Sequence, residues 1–329
     1  MTEAVRRPPR IPLNFFGIPF GIAGLAGTWL TFADQGKTPV AAGDVLLAVS
    51  AVVWLALLTA YARHASSDRR GVVDDLMDPI ASPFASLVVI TPMLWAAEGL
   101  YPRSATTGRV IVDVFVALAV VLGCWFTGQW IYAPLDLDTV HPGYFLPTVA
   151  GGLVAAFGAA EVGQQQLAVV MFGYGAISWL LVGSLILGRL FFRPLPPPAL
   201  LPTLAIEVAP AAVASIALFA LNGDTIGTLA ELLAGYGVLM VIAQLRLMPA
   251  FIRLPFMPST WAFTFSWAAV ATAVLHWLYS DRPSGYVAYE YIVLTAITVL
   301  VGGIMLRTLI ALAHAEFLPS PVEIRTNST

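Results

Sequence analysis

Ten long apolar stretches occupy nearly the whole chain. They fall at 12–33, 40–62, 80–101, 108–132, 142–161, 165–190, 202–221, 227–248, 258–279 and 285–313. The breaks between them hold turn-forming residues and most of the charged side chains. A helix that crosses the hydrocarbon core needs about 20 predominantly apolar residues, because each residue adds about 1.5 Å of length. The pattern therefore predicts an all-α integral membrane protein with ten transmembrane helices, numbered here as spans 1 to 10.

The composition excludes several classes of protein. Only 11% of the 329 residues are charged, whereas an ordinary soluble domain has roughly 25%. This argues against a soluble enzyme and a disordered chain, and a net charge of −3 argues against a nucleic-acid binder. Cys124 is the single cysteine, and the four histidines show no metal-ligand spacing. We expect no metal, no cofactor and no nucleic-acid partner, and we expect membrane lipids around the chain.

Basic residues mark one side of the predicted bundle. When the loops are assigned alternately to two sides, 12 of the 16 Lys and Arg residues fall on the side of the termini. Basic residues concentrate in cytoplasmic loops, so we expect both termini to be cytoplasmic in a bacterial inner membrane. The predicted organisation is an N-terminal segment 1–11, a membrane domain 12–315 and a C-terminal tail 316–329. The composition after Pro319 predicts disorder.

Prolines inside the membrane alternate with span number. The odd spans contain Pro19, Pro83 and Pro92, Pro147 and Pro210, whereas the interiors of the even spans contain none. Proline lacks an amide donor and clashes with the carbonyl four residues earlier, so it bends a helix. The pattern favours five helical hairpins with bent odd helices inside and straight even helices outside. The alternative is that the prolines reflect only their general frequency in membrane helices.

Small residues in two odd spans indicate either close packing or a narrow pore, and the two are compatible. Gly17 and Gly21 form a GxxxG spacing in span 1, which lets helices approach closely. Span 9 lacks an interior proline and carries Phe263, Thr264 and Phe265 near its start. Its small polar residues can place hydroxyl groups toward a cavity.

Five motifs together resemble the tellurite-resistance/dicarboxylate transporter family, which includes bacterial tellurite-resistance proteins and is related to plant slow anion channels. The motifs are Phe16–Leu25, His141–Pro147, Ala209–Ala211, Gly235–Gly237 and Trp261–Phe265. They occur in family order and spread over most of the chain. Each is weak alone, but the set is specific.

The resemblance implies five hairpins, five kinked inner helices around a central pore in each protomer, and a homotrimer. It implies conduction of small inorganic or organic anions, and it makes Phe265 the gate that plugs the pore. The residues expected to line the pore or kink its helices are Gly17, Pro19, Gly21, Pro92, Pro147, Pro210, Phe263 and Thr264. The sequence departs from the family pattern at Pro92, whose position is shifted, and at Glu207, where an apolar residue is expected.

Two residues keep a second function open. Glu207 lies well inside span 7 and His276 lies in span 9, so both are candidate protonatable groups. The first reading is an anion channel. The alternative is a proton-coupled carrier for dicarboxylate, sulfite or tellurite-type oxyanions. An intramembrane enzyme is not expected, because no nucleophile with a base and no paired aspartates are evident, and a non-conducting scaffold or sensor is a further competitor.

The distribution of cations bears on how an anion would be bound. No Lys or Arg lies at the centre of a predicted span. We therefore expect weak anion binding that is ranked by the cost of dehydration, with nitrate passing more easily than chloride.

Overall fold

The computed structural model describes residues 5–6, 11–67, 69–133, 135–223, 225–318 and 323–324. Within these ranges, ten helices are long and apolar enough to cross a membrane. They are Leu13–Asp34, Val40–Ser66, Ser82–Leu100, Ala105–Tyr132, Pro142–Glu161, Gln165–Phe192, Leu201–Asn222, Thr228–Phe251, Pro258–Asp281 and Tyr286–Ala313. The number of spans and their order are those that the apolar stretches predicted.

The odd spans form the inside of the bundle and the even spans form its outside. Between 50% and 89% of the apolar window of each odd span is buried within the protein, against 17–28% for the even spans. Because the even spans expose apolar surface in this proportion, their outer faces suit lipid rather than water. The predicted arrangement of inner and outer helices is confirmed.

The two sets of helices also differ in regularity. Each even span is α-helical along its length. Each odd span begins with a 3-10 segment, and spans 3 and 5 also contain a π segment. The 3-10 segments are Leu13–Phe16, Ser82–Ala85, Pro142–Tyr144, Leu201–Val208 and Pro258–Trp261, and the π segments are Trp95–Leu100 and Leu146–Ala150. Irregular backbone is tolerated at membrane depth where it is covered by protein or lines a cavity, which is the situation of the inner helices.

Span 2 supplies hydrogen-bond donors to carbonyls in its two inner neighbours. Pro92 lacks the amide that would bond the carbonyl of Val88, four residues earlier, and the Trp54 indole Nε1 donates to this carbonyl at 3.0 Å instead. The Ser50 hydroxyl donates to the Pro19 carbonyl oxygen at 2.6 Å. The break at Pro92 is therefore compatible with the membrane because an outer helix satisfies the freed carbonyl.

The segments outside the spans are short. Helix Arg69–Met77 follows span 2, and a 3-10 turn, Leu137–Thr139, precedes span 5. Strand β1, Val5–Arg6, pairs antiparallel with strand β2, Glu323–Ile324. The pairing brings the two ends of the chain to one side of the bundle, as an even number of spans requires, and it places a strand in a tail for which the sequence predicted disorder. Three basic residues used in the orientation argument lie outside the described residues: Arg7, Arg10 and Arg325.

Candidate functional site

Two cavities lie between the odd spans. The proximal cavity is on the side of the chain termini, has a volume of about 60 Å³ and is lined by the first halves of all five odd spans. The distal cavity has a volume of about 740 Å³ and is lined mainly by their second halves. A single water needs roughly 10–15 Å³ measured in this way, so the proximal cavity has room for a few waters or one small anion.

Phe265 in span 9 lies at the boundary between the two cavities. It and Val213 are the residues that line both. The Phe265 ring stacks on the ring of Phe20 in span 1, with centroids 3.6 Å apart and planes inclined by 18°. The same ring also meets bare backbone of span 1, because a Cβ atom built at Gly24 would lie 2.8 Å from Phe265 Cδ2. Spans 1 and 9 are therefore in close contact at the boundary between the two cavities.

The proximal cavity is almost entirely apolar. Its polar lining residues are few: Asn14, Ser259 and Ser266 contribute hydroxyl or amide groups. Phenylalanine and aliphatic side chains form most of the rest: Phe20, Phe84, Leu87, Phe145, Leu146, Val149, Leu153, Ile206, Val213 and Phe265. An ion that enters this cavity must therefore give up much of its hydration, and few groups here replace it.

The distal cavity is wider and acidic. Asp34, Glu98 and Glu161 line it together with His276, whose ring stacks on Phe219 with centroids 5.0 Å apart. Glu98 fits because the facing residue is Gly27, where an added Cβ would lie 2.7 Å from Glu98 Oε1. Among the described residues, no group of three or more His, Cys, Asp or Glu side chains is placed to hold a metal ion.

Fixed cations are missing from both linings. No Lys or Arg is among the described residues that line either cavity. On the distal side, Arg109 donates to the Val162 carbonyl at 2.9 Å. The described cavity linings therefore offer an anion no cationic side chain.

A single buried histidine, His141, anchors the start of span 5 beside the proximal cavity. The buried His141 ring accepts a hydrogen bond from the Gly143 amide at Nδ1 (3.1 Å), and its Nε2 lies 3.1 Å from the Ile80 carbonyl oxygen. The ring also stacks on Phe84, which lines the cavity. Burial lowers the pKa of His141 to about 4, so the ring is neutral at physiological pH and Nε2 donates to Ile80. This contact ties the loop before span 3 to the start of span 5.

The structure places only some of the predicted site residues in the cavities. Gly17, Pro210 and Phe265 line the proximal cavity, and Phe265 and His276 line the distal cavity. The others lie outside both linings as far as the described residues define them: Pro19, Gly21, Pro92, Pro147, Phe263, Thr264 and Glu207.

Two of these outlying residues serve helix packing. Phe263 meets Phe251 edge to face, with centroids 5.0 Å apart. The Thr264 hydroxyl donates to the Trp261 carbonyl at 2.6 Å and occupies the space that a side chain at Gly21 would need. The close packing predicted for the glycines of span 1 therefore includes its contact with span 9.

Glu207 is buried in the 3-10 start of span 7, with only 6% of its surface exposed. Its Oε1 atom has no hydrogen-bond partner within the described part of the chain, and neither does Oε1 of the nearby buried Gln244 in span 8. The Gln244 amide donates to the Leu204 carbonyl at 2.7 Å. Glu207 is therefore a buried residue of span 7 that is absent from the described linings of the two cavities.

Sequence reasoning missed several cavity residues. Phe20 and Gly24 belong to one face of span 1 with Gly17 and Gly27, at the three- and four-residue spacing of a helix. That spacing was a usable signal for a pore-facing stripe. Glu98 gave a weaker signal, because an acidic residue near the end of a span usually indicates a surface position.

A comparison with protein families matches residues 10–309 to the voltage-dependent anion channel family. The chain belongs to this family. A tellurite resistance protein TehA homolog from Haemophilus influenzae is 26% identical over 317 residues, which cover 96% of this chain and 95% of that protein. The resemblance drawn from the five motifs is thus confirmed, and membership of the voltage-dependent anion channel family makes anion transport across a membrane the general activity.

Proposed function

We propose that this protein is an anion channel in which Phe265 closes the passage between the proximal and distal cavities. The observation that carries the proposal is that this ring lines both cavities and stacks on Phe20 of span 1. A ring in a narrow tube blocks ions sterically, and an apolar constriction also excludes water. Removing the ring would join the two cavities into one continuous path.

Weak, dehydration-ranked selectivity follows from the lining of the proximal cavity. An anion there meets mainly phenylalanine and aliphatic side chains, with Asn14, Ser259 and Ser266 as the polar groups. Anions that lose water at lower cost should pass more easily, so nitrate should be conducted better than chloride. All five odd spans begin on this side, and helix N-termini carry partial positive charge that favours anions.

The test of the gate is anion flux into liposomes containing purified wild type or Phe265→Ala. We expect a several-fold higher nitrate flux from the variant at equal protein density. The matched control is Phe251→Ala, which removes a ring of the same size from span 8, outside the linings described above. Equal flux from wild type and Phe265→Ala would refute the gate.

The proton-coupled carrier is the second candidate, and His276 is the observation in its favour, because its ring lines the distal cavity. Glu207 gives this candidate less support, because it lies outside both cavity linings. A carrier should saturate with substrate and exchange labelled anion across the membrane. A channel should instead show unitary currents too large for alternating access.

We also propose the orientation and assembly that the sequence predicted. Both termini are cytoplasmic in a bacterial inner membrane, and the proximal cavity then opens to the cytoplasm. Protease accessibility of the termini in inverted and right-side-out vesicles tests this orientation. The homotrimer implied by the family resemblance stays a prediction, and cross-linking in native membranes tests it.

A further inference from the structure

The constriction contains two aromatic rings. Phe20 is 4% exposed and lines the proximal cavity, and its ring lies parallel to that of Phe265 at a centroid distance of 3.6 Å. Phe84, which also lines the proximal cavity, stacks instead on His141. Phe20 is thus positioned to act on the gating ring itself.

Span 1 changes from one cavity to the other at this level. Along one helical face, Gly17 and Phe20 line the proximal cavity, and Gly24 and Gly27 line the distal cavity. Of these four residues only Phe20 carries a side chain beyond the backbone. The Phe265 ring therefore contacts span 1 at two residues, the bare backbone of Gly24 and the aromatic ring of Phe20.

We propose that Phe20 is a positioning residue that holds Phe265 across the pore, so that the closed state is stabilised by a two-ring contact between spans 1 and 9. The inference rests on the proposed gating role of Phe265. When the Phe265 ring swings out of the boundary between the cavities, it gives up its stacking on Phe20. The stack therefore stabilises the closed state relative to the open one.

Phe20→Leu keeps an apolar side chain of similar bulk and removes the ring. Aromatic stacking beyond simple burial corresponds to about a two- to tenfold change in an equilibrium, so open probability should rise by that factor. The conductance of a single open channel should not fall, because the path is no narrower. Phe20→Tyr keeps the ring and should retain the closed state of wild type.

The experiment is planar-bilayer recording of Phe20→Leu and Phe20→Tyr, each alone and combined with Phe265→Ala. If Phe20 acts through the gating ring, Phe20→Leu has no further effect once Phe265 is alanine. The matched control is Phe32→Leu, which removes another buried ring from span 1, one that packs edge to face on Tyr291 and is absent from the described cavity linings. A loss of packing alone would lower thermal stability in both Phe20→Leu and Phe32→Leu without changing open probability.

The outcomes separate this inference from the proposed function. If Phe265→Ala raises the current and Phe20→Leu does not, the gate stands and the positioning role of Phe20 is wrong. If the effects of Phe20→Leu and Phe265→Ala simply multiply, Phe20 is an independent constriction and the inference is also overturned. If Phe265→Ala itself has no effect, the failure belongs to the proposed function.

Discussion

Lys37 and Glu290 form an ion pair at the distal end of the bundle. Removing the Lys37 ammonium should destabilise the fold more than removing the charge of Glu290. The Glu290 side chain is 0% exposed and lies at the start of span 10, whereas the Lys37 side chain is 15% exposed in the loop after span 1. The Lys37 ammonium also lies 5.2–5.4 Å from three ring centroids. These rings belong to Phe32, Tyr279 and Tyr286.

The asymmetry follows from what each variant leaves behind. Lys37→Met leaves a fully buried carboxylate whose Oε1 atom already lacks a partner in the described chain, and an uncompensated buried charge costs about 3–5 kcal/mol. Glu290→Gln leaves a cation that keeps its ring faces, partial exposure and a 2.9 Å hydrogen bond to Gln35. We expect that loss to be about 1.5–3 kcal/mol, the range for one charge-assisted hydrogen bond.

The assay is unfolding in mixed micelles, which gives a free energy of unfolding for each variant. The matched control is Arg103→Met, which breaks the ion pair between Arg103 and Asp44 on the distal side of the bundle. The Arg103 side chain is 56% exposed, and an exposed ion pair contributes less than about 1 kcal/mol. Flux per folded protein should not change, because Lys37 lines neither cavity. A cost for Lys37→Met that is no larger than for Arg103→Met or Glu290→Gln would refute the reasoning.

Two further predictions concern the inner helices. An unfolded histidine binds a proton as the pH falls below about 6.5, whereas folded His141 stays neutral down to about pH 4. The free energy of unfolding should therefore fall by about 2 kcal/mol between pH 7 and pH 5. His141→Gln should remove this part of the pH dependence. Trp54→Phe deprives the Val88 carbonyl of its donor beside Pro92 and should cost about 1–3 kcal/mol in the same unfolding assay. Trp29→Phe should cost less, because its partner is a hydroxyl that still donates to its own helix, and equal costs would contradict this account.

The spans could be predicted from sequence because their signal is local. Twenty apolar residues between polar breaks satisfy a length requirement that the bilayer imposes on every crossing. The inner position of the odd spans was readable for the same reason, since proline and glycine change the backbone wherever they occur. In the structure, this signal corresponds to irregular helix segments such as the 3-10 segment Leu201–Val208 and the π segment Leu146–Ala150.

The cavities could be predicted only in part, because they depend on which side of each helix faces inward. Glu207 stood out in the sequence as a candidate protonatable group because it is a carboxyl deep in an apolar span, and in the structure it is buried in span 7 outside the described linings of both cavities. Glu98 looked peripheral because it is close to a span end, yet Gly27 on another helix makes room for it in the distal cavity. Both outcomes depend on contacts between residues distant in sequence, and no local pattern encodes them.

The charge selectivity proposed for this channel can be explained by the polarity of the inner helices, without a cationic side chain. The five odd spans all start at the proximal side, and each N-terminus is equivalent to about half a positive charge. Their C-termini, which carry the opposite charge, lie at the distal side with Asp34, Glu98 and Glu161. For the proposed channel we therefore expect an anion to be stabilised at the proximal mouth and opposed at the distal side. We therefore predict weak anion binding and a directional asymmetry of anion flow, because the inner helices share one direction and the described cavity linings contain no Lys or Arg.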